Sequence, residues 1–429
     1  MANLRFPPGS RDSFWPLDNG AVFMASISGR SSPYVFRLSC ELDEIVHLPS
    51  LETALARCLP RFPPFATELR GGFFWYYLEP LSTPLSVIAD TRYPAEYRSL
   101  WRYGRHLVRV RAYETRVSCE FHHLLTDGTG AMEFLRSLIA EYLTLRGVSC
   151  DDWEGIRKPG TPVTPGELED AYAKRFPGNV PPPARLSRAY HLPGKRYRGL
   201  AYRVTIGTLP VADAFRVARE RGASLTELLA ASYLWALQEI EETERPRSWK
   251  PLCIQVPANM RRFYPSDTMR NFFLFITVTV DRRLGHWEFD EILARVRAEF
   301  ALSLTVKELN RQIGRNVRWE RRIGARIVPL MLKNPALRLV AALAVDKPFS
   351  GNLSNLQVVR MPEAFAAHIR RFDVLPSRRS SIGANIGVVS WKDVLSVTVG
   401  SVVESRALER VFFRRLAELG IPVRVVSNE

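Results

Sequence analysis

Two apolar spacings, every second residue and every third or fourth, alternate along the chain and predict strands and helices in turn. Tyr34–Leu38 and Gly72–Leu78 are rich in aromatic and β-branched residues and predict strands. Between them, Leu51–Leu59 has helical spacing and stops before Pro60. Leu107–Arg111 and Val117–Phe121 predict two strands joined around Glu114-Thr115. Met132, Leu135, Leu138, Ile139, Tyr142 and Leu143 then form one helical stripe, which Gly147 is placed to end.

From Arg157 to Arg196 this patterning gives way to prolines and glycines, Pro181-Pro182-Pro183 among them. The stretch predicts a linker or long surface crossover, residues 157–196, holding one short helix around Leu168–Lys174. It separates an N-terminal lobe, 1–156, from a C-terminal lobe, 197–429. The second lobe repeats the mixed character. Ser224-Leu225-Thr226-Glu227 is a capping-box pattern that opens a helix. Strands are predicted at Leu252–Pro257 and Phe272–Val280. Ile386–Trp391 and Val394–Val399 flank Lys392-Asp393 as a hairpin. A last helix, Ser405–Leu419, meets Gly420, and Val423–Val426 predicts a final strand. The fold class is therefore α/β, an α+β sandwich of two lobes with helices laid on mixed sheets.

Composition narrows the function classes. At 429 residues the chain exceeds the size at which single cores stop growing, about 250–300 residues. Its five cysteines (Cys40, Cys58, Cys119, Cys150, Cys253) are scattered and never form a CxxC pair, which argues against a disulfide framework and a metal site. The opening Met1-Ala2-Asn3-Leu4-Arg5 lacks the order of a signal peptide. The apolar stretch Ile327–Val345 is interrupted by Lys333, Asn334, Pro335 and Arg338, so it predicts a core or interfacial helix and no transmembrane segment. The expected location is cytoplasmic. A formal charge of +16 favours anionic partners: a phosphate-bearing co-substrate, an acidic carrier protein or anionic lipid. Basic residues are spread along the chain without a recognition motif, so no nucleic acid is expected.

The candidate chemistry lies at the end of the strand beginning at Val117. Side chains alternate along a strand, so Val117, Cys119, Phe121 and His123 share one parity and Ser118, Glu120 and His122 the other. His123 thus follows the apolar, inward set and His122 the polar one. A neutral imidazole held in a cavity can act as a general base, because its unperturbed pKa is about 6.5. Asp127 is placed to accept backbone N–H bonds or to pair with an arginine, fixing the loop that carries His123. Gly128 is expected to supply a backbone conformation other residues resist. The chain has no Gly-x-Ser-x-Gly elbow.

The segment Phe121-His122-His123-Leu124-Leu125-Thr126-Asp127-Gly128 resembles the HHxxxDG signature of the acyltransferase superfamily related to chloramphenicol acetyltransferase, which includes condensation domains. The resemblance is nearest to alcohol acetyltransferase-like proteins. Trp15-Pro16-Leu17-Asp18, Arg61-Phe62-Pro63-Pro64, Val256–Phe263 and Ser354-Asn355-Leu356 with Met361-Pro362 look like further parts of that pattern. Gln357 departs from it, standing where many relatives carry glycine.

The resemblance implies two chloramphenicol-acetyltransferase-like lobes with an active-site tunnel between them. Its general base maps onto His123 and its structural aspartate onto Asp127, with Arg261 the candidate partner of that aspartate. His122 and Gly128 become structural members of the motif, and Ser354 and Asn355 candidate tunnel residues or oxyanion donors. An alternative reading of these two is a strand end with an Asx-type turn. The implied reaction moves an acyl group from a thioester to a hydroxyl or amine acceptor without an acyl-enzyme, with acyl-CoA as co-substrate and no permanently bound cofactor. The alternatives are a stand-alone condensation-like enzyme using carrier-bound thioesters, a non-catalytic binding module of the same fold, and a basic protein that binds nucleic acid or anionic membrane.

Overall fold

The computed structural model describes residues 15–17, 19–81, 83–100, 106–175, 178, 181, 187–198, 201–244, 249–321, 328–341 and 347–429. Its five-stranded sheet runs, in spatial order, Ile369–Leu375, Val35–Leu42, Arg116–His122, Val108–Tyr113 and Val87–Ala89. Only the last pair is parallel. The turn between the third and fourth strands falls at Glu114-Thr115 as predicted, with Glu114 at φ 48°.

Leu38, Cys40, Val117 and Cys119 on one face of this sheet join one core with Leu55 of the helix Leu48–Cys58 and Leu135, Leu138 and Ile139 of the helix Gly128–Leu145. The polar parity of the same strands predicts a wet face. The structure buries it instead: Arg37, Ser39, Arg109, Arg111, Ser118, Glu120 and His122 are all inside. Ion pairing makes this possible. The Glu120 carboxylate accepts from Arg37 Nη2 (2.8 Å), Arg111 Nε (3.1 Å) and the Ala95 backbone N–H (2.7 Å), with Arg109 Nε at 3.1 Å. Burial alone would raise the Glu120 pKa, but Arg109, Arg37 and Arg111 outweigh it and hold the group at about 2.

The second sheet has seven strands, in the order Phe273–Val280, Leu252–Asn259, Gly351–Val358, Ala384–Trp391, Val394–Ser401, Arg203–Pro210 and Arg424–Ser427. Gly351–Val358 is parallel to both neighbours, and the other pairs are antiparallel. Helices Val211–Glu220, Leu225–Glu244, Phe289–Ser303 and Ala407–Glu418 lay their apolar stripes on its core. The predicted capping box forms: Glu227 N–H donates to Ser224 Oγ at 3.3 Å and Ser224 N–H to Glu227 Oε2 at 2.7 Å. Both lobes mix strands with flanking helices, as the sequence pattern requires. Trp15–Pro16, Tyr76–Pro80 and Thr67–Gly71 make a third, small antiparallel sheet.

Three features depart from the sequence pattern. The run Gly72–Leu78 is not one strand: Gly72 N–H donates to Trp75 O at 2.8 Å, closing a turn, and the strand begins at Tyr76. Ile369–Leu375 pairs antiparallel with Val35–Leu42, so a strand from beyond residue 197 completes the N-terminal sheet. Within the stretch Arg157–Arg196, Glu167 is held by ion pairs that no local spacing predicts: Arg61 Nη1 and Nη2 donate to it at 2.7 and 3.0 Å, and Arg157 Nε donates to the same carboxylate at 3.0 Å. Pro177, Pro182 and Pro183 lie outside the described residues, as do Asp18, Ile327 and Ala342–Val345.

Candidate functional site

Two backbone bonds fan out at the end of the strand Arg116–His122. His122 N–H donates to Leu107 O at 2.9 Å and His123 N–H to Tyr34 O at 2.8 Å, on opposite neighbours. This puts the two rings in different surroundings. His122 is 3% exposed; the Leu124 N–H donates to its Nδ1 (3.1 Å) and its Nε2 lies 3.1 Å from Ser28 Oγ. Burial first, then His123 and Arg109, draw its pKa from 6.5 down to about 3.

His123 is the less enclosed of the pair, half-buried at the strand end, the reverse of what parity alone suggests. The reason is the buried arginine network, which covers the polar face and encloses His122 with it. The His123 ring packs 4.3 Å from the Phe36 ring and 6.3 Å from Phe273, so it stands between the N-terminal sheet and the first strand of the seven-stranded sheet. Its Nδ1 is buried, and the Thr126 backbone is a hydrogen-bond partner of the ring that raises its pKa. Burial lowers its pKa to about 4, against the raising effect of Asp127 and with the help of Arg379. Both imidazoles are therefore neutral near pH 7.

Asp127 is the N-cap of the helix Gly128–Leu145. Its Oδ1 accepts from the Thr129 and Gly130 N–H groups at 3.0 and 3.1 Å, satisfying donors that a helix start leaves unpaired. Its Oδ2 accepts from Arg261 Nη1 and from the Phe272 N–H, both at 2.8 Å. Each oxygen thus holds two donors, which fits a positioning group. Arg261 also donates from Nε (3.1 Å) and Nη2 (2.8 Å) to Thr268 O and from Nη2 to Arg270 O (2.7 Å), so one guanidinium ties the two lobes and their loops.

Several contacts of this clamp are absent from the sequence reading. Asn271 Nδ2 donates to His123 O at 2.8 Å, and Thr126 Oγ1 donates to Met269 O at 2.6 Å. A separation of over 140 residues gives no local signal for either. Gly130 did carry one, because a second glycine in the first turn of a helix needs a packing reason. A Cβ there would meet Thr126 Oγ1 at 2.3 Å and Met269 O at 2.4 Å. Gly128 is less constrained, because what a Cβ would meet there is the end of a flexible side chain. Its φ is not positive, and a Cβ would fall 2.5 Å from Leu356 Cδ2.

The strand Gly351–Val358 separates Ser354 from Asn355. Ser354 pairs with Gly387, where a Cβ would lie 2.1 Å from Val374 O of the N-terminal sheet. Ser354 therefore faces that lobe. Asn355 faces the other way: its Nδ2 donates to Thr226 Oγ1 at 2.9 Å, and its Oδ1 accepts the Gln357 N–H at 2.8 Å in an Asx-type turn. Gln357 sits at φ 66° beside a register shift, the left-handed conformation that glycine adopts without strain. Among the described residues, one grouping has metal-ligand geometry, Glu239, Glu242 and His286, and Arg282 already pairs with Glu242 there.

No protein-family model and no curated protein matches the sequence. Solved structures match nearly its whole length. The TRI3 trichothecene 15-O-acetyltransferase from Fusarium sporotrichioides aligns with a TM-score of 0.60 over 96% of this chain and 95% of its own, at 12% identity. The first condensation domain of the CDA synthetase gives 0.59 over 96% and 97%, at 15% identity. The starter condensation domain of rhizomide synthetase, solved in complex with C8-CoA and Leu-SNAC, gives 0.60 over 96% of both chains, at 12% identity. The chain thus has the two-lobed α/β fold of condensation domains and chloramphenicol-acetyltransferase-like enzymes.

Proposed function

We propose that the protein is an acyltransferase that moves an acyl group from a thioester, acyl-CoA in preference, to a hydroxyl or amine acceptor, with His123 as general base. The observation that carries this reading is a neutral, half-buried imidazole on a loop whose neighbouring polar groups are already fixed by Asp127, Arg261 and Asn271. The buried Nδ1 leaves Nε2 as the working nitrogen. Nε2 takes the proton from the acceptor as its oxygen or nitrogen bonds to the thioester carbonyl. The tetrahedral intermediate then expels the thiolate, which receives that proton from the imidazolium. No bond forms between enzyme and acyl group.

A base with a pKa of about 4 acts on a proton that turns acidic as the new bond forms, so attack and transfer are concerted. Ser354, facing the N-terminal lobe, is the candidate oxyanion donor, and Asn355 holds its strand through Thr226. Donor and acceptor would meet in a tunnel between lobes 1–156 and 197–429, with 157–196 crossing between them. The fold adds support, since one structure that shares it is named as a 15-O-acetyltransferase and another holds C8-CoA.

The test is a mass-spectrometric screen of acyl-CoAs against alcohols and amines. His123→Ala should lower turnover by about 10²–10⁴-fold, and intact-mass analysis should find no acylated protein. Equal turnover by wild type and His123→Ala would overturn the proposal. Carrier-bound thioesters assayed alongside free acyl-CoA separate the two donor classes.

A further inference from the structure

The segment 376–383 joins the strand Ile369–Leu375 of the N-terminal sheet to Ala384–Trp391 of the seven-stranded sheet. It carries Ser377 and Arg378, and Arg378 is only 3% exposed. The other buried arginines among the described residues are Arg37, Arg61, Arg109, Arg111, Arg203 and Arg282. Each of those six pairs with a carboxylate, at distances between 2.6 and 3.1 Å. Arg378 pairs with none among the described residues. Its Nη2 donates to Arg30 O, and its Nε is buried without a partner. Burial lowers its pKa, with the Tyr202 hydroxyl acting against that. A buried guanidinium without a counter-charge is a standing cost to the fold, so its presence calls for a reason beyond packing.

Further polar atoms beside it are also unanswered. Ser377 Oγ and Asn385 Oδ1 are both buried without a hydrogen-bond partner. Asn385 Nδ2 donates to Ser377 O at 3.0 Å and Tyr202 OH to Pro376 O at 3.1 Å, which fixes the backbone that carries the serine and the arginine. Asn385 stands opposite Asn352 in the sheet, and Gly387, two residues on, opposite Ser354. Alternate residues of a strand share a face, so the cluster adjoins Ser354 on the face turned to the N-terminal lobe. Asn352 and Ser354 are half-buried, so the cluster borders the open part of the joint between the lobes. Water can satisfy such hydrogen bonds, but it cannot balance the charge. A phosphate dianion carries more charge than one guanidinium answers. A carboxylate carries a single charge, and its two oxygens match the Nε–H and Oγ–H donors.

We propose that Arg378 and Ser377, with Asn385 positioning Ser377, form a binding site for a carboxylate group beside Ser354. The site does not depend on the acyl-transfer reading. The test follows thermal melting of the full chain as sodium acetate replaces sodium chloride at constant ionic strength, with acetamide as the neutral counterpart. The wild-type midpoint should rise saturably with acetate, by about 2 °C or more, and stay level in acetamide. Ser377→Ala should weaken the apparent acetate affinity about five-fold. Arg378→Met should lose the response and, without acetate, melt no lower than the wild type, because it removes a charge that the fold alone does not balance. Arg203→Met, which strips the Glu409 carboxylate of its partner, should melt well below the wild type. No acetate response, as a bound water alone would give, would overturn the proposal. So would an equal response in wild type and Arg378→Met, or Arg378→Met melting as low as Arg203→Met.

Discussion

A backbone N–H aimed at Nδ1 of His122 leaves that ring's proton one place, Nε2, where Ser28 Oγ accepts it and donates in turn to Pro33 O at 3.2 Å. Protonating the ring would break the Leu124 bond, so His122 resists charge for a geometric reason as well as for its burial. Both histidines have folded pKa values below the unfolded value of about 6.5. The unfolded chain therefore binds more protons in the window between, and the stability these groups contribute is whole above about pH 6.5 and lost as pH falls towards about 3. Urea midpoints should decline across that window, and His122→Asn should flatten the decline. The acid limb of kcat/KM should likewise fall near about 4, well below that of an unperturbed histidine. At Asp127, substitution by Asn leaves the half-buried Arg261 charge without its carboxylate partner. The expected loss is about 2 kcal/mol in denaturant melts, with turnover reduced and the acid limb of the pH profile moved to lower pH, because the Asp127 charge raises the His123 pKa.

Among the elements, the loop from His123 to Gly130 shows what a motif spacing encodes and what it leaves out. The N-cap at Asp127 is legible, because an acid before a strongly amphipathic run satisfies helix-start donors wherever the helix packs. Gly130 is legible only as an oddity until Met269 O is seen approaching from the other lobe. Gly130→Ala should destabilise by about 2 kcal/mol or more and depress turnover, since backbone must shift at the joint between lobes. The same substitution at Gly147, which has open space around it, meets backbone strain alone. The turn Gly72–Trp75 is the opposite case. Its Phe-Phe-Trp content reads as strand because β-propensity measures fit to a half-buried surface, and here the residues that would need that surface face outward. Gln357 at φ 66° belongs with it, a strained residue that only the bulge explains.

For the molecule as a whole, the basic balance divides into two populations. Arg37, Arg61, Arg111, Arg203 and Arg282 are buried in carboxylate pairs, so part of the charge that suggests partners is structural. The lobes are also interlocked. Ile369–Leu375 closes the edge of the N-terminal sheet, and its Asp373 accepts from Ser396 Oγ of the seven-stranded sheet at 2.5 Å. A fragment of residues 1–196 should consequently aggregate when expressed alone, with the edge of Val35–Leu42 unpaired, and should become soluble when residues 197–429 are co-expressed. Solubility of the isolated fragment as a folded monomer would contradict that dependence. By itself the sequence determined most of the element types, Gly72–Trp75 excepted, the turns at Glu114-Thr115 and Lys392-Asp393, the capping box, and the helix start beside the histidines. These are settled by side-chain periodicity and by groups a few residues apart. Only the tertiary structure decided that the polar strand face would be buried, that a C-terminal strand would join the N-terminal sheet, and that His122 would be the more enclosed of the pair. Each of those depends on partners far along the chain, whose meeting no local spacing records.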